Sequence, residues 1–203
     1  MKIICIGRNY SEHAKELGNA IPEAPVIFMK PKNALLTPGM NFYYPPFTNE
    51  LHYEGELVYK ISKNGKYIDG KYGWQYYTEV TIGIDFTARD LQTELKKKGL
   101  PWEKSKAFDQ SAVVGEFVRI DGLPNKNNIA FTLTKNGEVV QQGQSENMLF
   151  NIDNILEDAS QYFTLNIGDL IFTGTPAGVG EAIAGDVFEG FIEGEKVMEL
   201  EVK

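Results

Sequence analysis

The chain of 203 residues has one cysteine, Cys5, and two histidines, His13 and His52. One cysteine excludes a disulfide framework within the chain and favours a reducing compartment. Cys5 lies in the apolar run Ile3-Ile4-Cys5-Ile6 and reads as a small buried hydrophobe. No run approaches the roughly 18 apolar residues of a membrane span. The N-terminus lacks a basic region followed by a long apolar stretch and a small-residue cleavage site, so no signal peptide is expected. A cytoplasmic location follows as the expectation. Cationic surplus is also missing: 20 Lys and Arg stand against 28 Asp and Glu, a net charge of −8. Such a balance argues against nucleic-acid binding and against adhesion to anionic membranes. It leaves small-molecule substrates open, because a local cluster can oppose the global sign.

Apolar residues reach 42% and charged residues 24%, the proportions of an ordinary globular protein. A chain of about 200 residues buries roughly 70% of its unfolded surface. One domain spanning residues 1–203 is therefore expected, with no need of disulfides or structural zinc. The 20 Gly, 12 Phe and 10 Tyr lean toward strands and turns. Strands are expected over 1–6, 51–61, 79–85, 129–135, 138–143, 169–173, 186–192 and 196–202. Lys63-Asn64-Gly65-Lys66 and Asn136-Gly137 carry hairpin signals, and Glu193-Gly194-Glu195 reads as a further turn. Helices are few. Thr87 to Lys98 has Thr87 as N-cap, Asp90 in the capping-box position and an apolar stripe of Ala88, Leu91 and Leu95. Gly99 and Pro101 stop it. Asn151 to Tyr162 is a second helix, and Ser11 to Leu17 a short turn. The proline-rich stretch 22–46 reads as a surface excursion. The class is α+β, mostly β.

The chemistry starts at His52-Tyr53-Glu54-Gly55-Glu56. Read as one strand, it puts His52, Glu54 and Glu56 on one face. Two carboxylates about 7 Å apart along a face repel unless a cation lies between them. The alternative is an exposed acidic face. Asp85 closes an apolar strand just before a helix that Thr87 already caps, so it is free to complete a site with Glu54 and Glu56. Three carboxylates without a cysteine select a hard cation: Mg²⁺ first, then Mn²⁺ or Ca²⁺. His13 and Glu16, at i and i+3, share one side of a helical turn, and an exposed polar turn is their alternative. Arg8 offers a bidentate fork to a carboxylate. Arg89 and Gln92, one turn apart beside Asp85, either reach substrate or brace the ligands. Thr175 sits in a Gly-rich turn that presents N–H groups and a hydroxyl to an anion, or is a plain β-turn. The loop lacks the Gly-Lys-Ser/Thr ending of a nucleotide-binding P-loop.

Five stretches together are similar to the signatures of the fumarylacetoacetate hydrolase family. They are Gly7-Arg8-Asn9-Tyr10, Phe28-Met29-Lys30-Pro31, His52 to Leu57, Gly83 to Gln92 and Phe172 to Gly180. They run in the family's order from residue 7 to residue 180. The resemblance implies a mixed β-sandwich roll with few short helices, like the C-terminal domain of that family, and a homodimer. It implies Mg²⁺ or Mn²⁺ on Glu54, Glu56 and Asp85. The length fits the compact branch, which lacks the extra N-terminal domain of the longer hydrolases. There, a pair matching His13 and Glu16 sits on a lid, here residues 11–20 with Gly18 as hinge, and activates water as a general base. Lys106 matches a substrate-facing cation, with Lys104 as the rival register. The implied substrate is a small anionic 2-oxo or 2,4-dioxo acid. Hydrolysis of a C–C bond in an acylpyruvate or fumarylpyruvate is the expected reaction. Decarboxylation of oxaloacetate and enol/keto isomerisation are alternatives on the same site. A non-catalytic Ca²⁺-binding module is the contrasting class.

Overall fold

The structure is a computed structural model, and it describes residues 1–11 and 21–203. Its largest sheet grows from short runs rich in β-branched residues, which suit a pleated, buried surface. The strands are β1 (Ile3–Gly7), β2 (Val26–Lys30), β4 (Gly55–Ile61), β5 (Tyr77–Asp85), β7 (Ala112–Val114), β8 (Val118–Arg119) and β11 (Leu170–Phe172). Their order is β2-β1-β11-β4-β5-β7, with β8 also on β5. Only β1 and β11 run parallel, so the sheet is mixed.

The strand period of two sorts this sheet's side chains between two layers. Ile4, Ile6, Leu57, Tyr59, Ile82, Ile84 and Ile171 enter the larger core. Ile3, Cys5, Val58, Leu170 and Phe172 enter a smaller one, covered by Phe28, Leu35 and Phe117. Glu56 and Asp85 have the parity of the smaller layer. The acidic site therefore opens on the face opposite the main core.

A second sheet closes the main core. It contains β9 (Ala130–Lys135), β10 (Glu138–Gln144), β13 (Val187–Ile192) and β14 (Glu195–Glu201), in the order β10-β9-β13-β14. Asn136 and Gly137 both have positive φ, 54° and 84°, as the expected two-residue hairpin requires. At Gly190 the two sheets meet so closely that a Cβ there would lie 2.5 Å from Ile82. A third, small sheet joins β3 (Leu51–Tyr53), β6 (Thr87–Ala88) and β12 (Gly180–Glu181) in the order β12-β3-β6. Among the described residues the α-helices are α1 (Arg89–Lys98), α2 (Glu103–Lys106) and α3 (Ile152–Tyr162).

The architecture is mostly β, as expected, with four differences in detail. Residues 51–61 form two strands in different sheets, broken at Glu54, rather than one. The turn at Lys63–Lys66 does not close a tight hairpin: β4 and β5 pair, but residues 62–76 connect them, and Gly65 bridges to Leu165 instead. The proline-rich stretch contains β2, whose last residue, Lys30, is 1% exposed. Helix α1 begins at Arg89, two residues late, and has no side-chain cap. Thr87 is withheld from capping because it pairs with His52 across β3 and β6 and its Oγ1 accepts a hydrogen bond from Lys106 Nζ. Helix α3 does have its cap: Asn151 Oδ1 accepts from Asn154 N–H at 2.9 Å.

The turn before β13 depends on Asp186. Its carboxylate accepts from Ile183 N–H at 2.9 Å and Asn136 Nδ2 at 2.8 Å, with Lys135 Nζ 3.3 Å away. Burial opposes its ionisation, but these donors outweigh burial and hold its pKa below the usual carboxylate range. A depressed acid stabilises the fold above its unfolded pKa, about 3.9, and loses that contribution as pH falls through the folded value. Asp186→Ala is expected to cost about 1–3 kcal/mol at pH 7. In urea titrations the difference from wild type should narrow as pH falls below about 3.9. An unchanged difference at the lower pH would contradict this assignment.

Candidate active site

The strand break at Glu54 is where the site begins. Gly55 N–H does not continue a ladder. It donates to Gln141 Oε1 at 2.8 Å, and Gln141 Nε2 donates to Thr175 Oγ1 at 2.8 Å and Pro176 O at 3.0 Å. Thr175 Oγ1 then donates to Gly55 O at 2.9 Å. Gln141 reaches this position because β10 slips register between Val139 and Gln141, and a bulge re-aims the side chains beyond it. The backbone of Glu54 is thus held between two sheets, and its carbonyl accepts from Asp85 N–H at 2.8 Å.

Glu54, Glu56 and Asp85 converge. All three are buried, and an oxygen from each lies within 4.8 Å of the others. Three cations oppose them. Lys106 Nζ is 2.6 Å from Glu54 Oε2 and 2.8 Å from Asp85 Oδ2, and it donates to Thr87 Oγ1 at 2.6 Å. Arg89 Nη2 donates to Glu54 Oε1 at 2.5 Å, and its Nη1 to Gln92 Oε1 at 2.5 Å. Lys30 Nζ lies 2.7 Å from Asp85 Oδ1 and donates to Ser111 Oγ at 2.8 Å and to the Lys106 carbonyl.

The compensation is unequal. Burial opposes ionisation of Glu54, but the charges of Lys106 and Arg89 outweigh it and hold its pKa well below the usual carboxylate range. Glu56 touches no ammonium or guanidinium among the described residues; its Oε2 accepts from Gly174 N–H at 2.8 Å. Burial, with the charges of Asp85 and Glu54, pushes its pKa well up. Burial also works against the charged form of Lys106, but Asp85 and Glu54 prevail and raise its pKa. Gly174 can serve Glu56 because its φ is +96°, and a Cβ there would lie 2.8 Å from Asn9.

This donor set fits a divalent cation. The ligands are oxygen alone, they lie close together, and one, Glu56, has no cationic partner of its own. Asp85 Oδ1 is buried with no aligned hydrogen-bond donor, despite the nearby Lys30. A hard ion in contact with all three carboxylates would satisfy both.

The other expected residues fall around one cavity. Arg8, Arg89, Gln92, Lys106 and Thr175 line it with the three carboxylates. Arg8 stands there at φ +61°, a conformation that costs a non-glycine residue energy and often marks function. Lys106 is buried and lines the cavity, whereas Lys104 is exposed. Arg89 and Gln92 brace: both are engaged with each other, and Arg89 holds Glu54. The Thr175 hydroxyl proton goes to Gly55, so this side chain pins the Glu54 junction from the cavity wall. His52 Nδ1 accepts from Arg89 Nε at 3.3 Å. Burial, then the Arg89 charge, lowers its pKa. His13 and Glu16 lie outside the described residues.

Three contributors had no role assigned from the sequence, although Lys30 stands within the Phe28–Pro31 signature. Lys30 carried a signal, a lysine closing the apolar run Val26-Ile27-Phe28-Met29. Gln141 and Ser111 carried none, because a bulge and a loop carbonyl deliver them. Glu56→Gln removes the least compensated carboxylate and is expected to abolish Mg²⁺ binding in calorimetric titration. Unchanged affinity would remove Glu56 from the ligand set.

Comparison with known proteins agrees with this geometry. The fumarylacetoacetate hydrolase C-terminal family matches residues 2–203. The mitochondrial oxaloacetate tautomerase of Caenorhabditis elegans is 42% identical over 93% of this chain and 88% of its own. The mitochondrial oxaloacetate decarboxylase of Dictyostelium discoideum is 38% identical over 95% of this chain and 89% of its own. Among solved structures, fumarylpyruvate hydrolase from Pseudomonas aeruginosa, in complex with Mn²⁺ and pyruvate, superposes with a TM-score of 0.92. It is 34% identical and aligns over 100% of this chain and 89% of that one. These relatives are enzymes, not passive Ca²⁺ modules. The chain belongs to the fumarylacetoacetate hydrolase family.

Proposed function

We propose that the protein interconverts the keto and enol forms of a small 2-oxo dicarboxylate such as oxaloacetate, with a divalent cation on Glu54, Glu56 and Asp85. The observation that carries this reading is the buried carboxylate triad beside Lys106, at one end of a cavity walled by further cations. The 42% identity to an oxaloacetate tautomerase supports the substrate. Mg²⁺ is the first choice of ion, and Mn²⁺ the second.

The bound cation would draw electron density from the 2-oxo oxygen of the substrate and make the C3 hydrogens more acidic. The rest falls to the chain. Lys106, held as an ammonium by Glu54 and Asp85, places a buried positive charge near the negative charge that develops on the substrate oxygen. Arg89 keeps Glu54 ionised and fixed in direction. His13, assisted by Glu16, takes the proton from C3: the C3–H bond breaks and its electron pair forms the C2–C3 double bond. The C2–O π pair moves onto the 2-oxo oxygen, which takes up one proton for the one lost from C3, so the exchange needs no oxidant and consumes no water.

A second reading, C–C hydrolysis of acylpyruvates, draws support from the structural relative that holds Mn²⁺ and pyruvate. There His13 would take its proton from water instead of carbon. Loss of CO₂ from oxaloacetate would need the same activated carbonyl.

One assay panel separates these readings. With Mg²⁺, enol-oxaloacetate absorbance should relax faster than the spontaneous rate, and EDTA should stop the acceleration. Pyruvate release from acetylpyruvate or from oxaloacetate would instead identify the hydrolase or the decarboxylase. No acceleration and no release on any of these acids would end the proposal. His13→Ala should lower turnover by about 10²- to 10⁴-fold and leave Mg²⁺ affinity unaltered. Equal turnover would exclude His13 as the base.

A further inference from the structure

Lys96 stands in the last turn of α1, where the run Lys96-Lys97-Lys98 reads as a solvated, dipole-favoured helix end. The structure separates its first member from the other two. Lys96 lines the same cavity as the carboxylate triad, in company with Arg8 and Trp102. Its Nζ lies 5.5 Å from the centroid of the Trp102 ring. The Trp102 and Phe28 rings are 6.0 Å apart, and Lys106 Nζ lies 5.3 Å from the Phe28 ring. An aromatic wall therefore runs from the buried ammonium at the triad to a second ammonium at the mouth.

Charge accounting distinguishes the two ends. Around the triad, three carboxylates meet three cations, Lys30, Lys106 and Arg89. Those cations are committed to holding the ligands. Among the described residues, no carboxylate stands within ion-pair distance of Lys96. Lys96 is exposed to solvent; partial burial, then the charges of Arg89 and Arg8, lower its pKa. A substrate with one acidic end could be held at the triad alone. A substrate with a second carboxylate, one short carbon chain away, would bring its charge to Arg8 and Lys96.

We infer that Lys96, seated on Trp102 and paired with Arg8, forms a distal carboxylate subsite that selects dicarboxylic over monocarboxylic 2-oxo acids. This inference rests on the proposed function. Lys96 is a substrate-binding residue in this scheme and takes no part in proton transfer. The Trp102 face restrains its stem and limits the entropy lost when the ammonium meets an anion.

Calorimetry on the Mg²⁺-loaded, full-length protein tests it without turnover. The probes are 3,3-difluorooxaloacetate, which has no C3 hydrogen, and pyruvate. Lys96→Met keeps the apolar stem against Trp102 and removes the charge. It should weaken the diacid by about 10- to 100-fold, the worth of a charge-assisted hydrogen bond, and pyruvate by less than about 3-fold. Lys96→Arg should restore most of the diacid affinity. Equal weakening of both probes, or none, would overturn the subsite while wild-type turnover of oxaloacetate leaves the proposed function standing. Failure of the wild-type protein to bind either probe would overturn both.

Discussion

The ammonium of Lys106 is shared between Glu54 and Asp85, and the rest of the site depends on that contact. Carboxylates forced together out of water repel strongly, and the low local polarity magnifies the effect. Without a buried cation between them, the β3–β4 junction and strand β5 could not present both acids to one cavity at neutral pH. Lys106 in turn is placed by α2, whose carbonyl end is held by Lys30 and Ser111. Removing one member of such a buried set commonly costs about 3–5 kcal/mol. The network therefore links the stability of the sheet to the integrity of the catalytic apparatus.

This design leaves one acid short of charge. Glu54 has two cationic partners, Asp85 has two, and Glu56 has the Gly174 amide. The imbalance is what makes the cluster a receptor for a further cation rather than a closed structural ion-pair network. It also explains the chemistry available. An ion bound there would face a cavity whose other walls are positive, a suitable place for an anionic 2-oxo acid and for the negative charge that grows as its C3 proton leaves.

Much of the site was legible in the order of residues. Alternation along one strand pointed to Glu54 and Glu56, which do converge although the strand breaks at Glu54, and an acid closing the apolar run before α1 pointed to Asp85. Asp85 does stand beside Glu54 and Glu56, but the reason for expecting it there held only in part. Thr87 does not cap the helix; it serves Lys106. The strand break at Glu54 was hidden because its cause, Gln141, lies 86 positions away and reaches Gly55 only through a bulge. Lys30 lay in a stretch read as a surface excursion, although its ammonium is buried and donates to Ser111. Lys96 looked like one of three equivalent lysines, and only the packing of α1 against Trp102 sets it apart. In the fold, local turn chemistry such as Asn136-Gly137 was readable. The long β4–β5 connection was not, because its turn residues pair with Leu165 and not across the expected hairpin.

The account centres on three buried carboxylates that share one divalent cation. Anomalous diffraction from crystals grown with Mn²⁺ tests this most directly. It should show one dominant peak in contact with an oxygen from each of Glu54, Glu56 and Asp85. A peak elsewhere, or no peak while Lys106 still bridges Glu54 and Asp85, would contradict it.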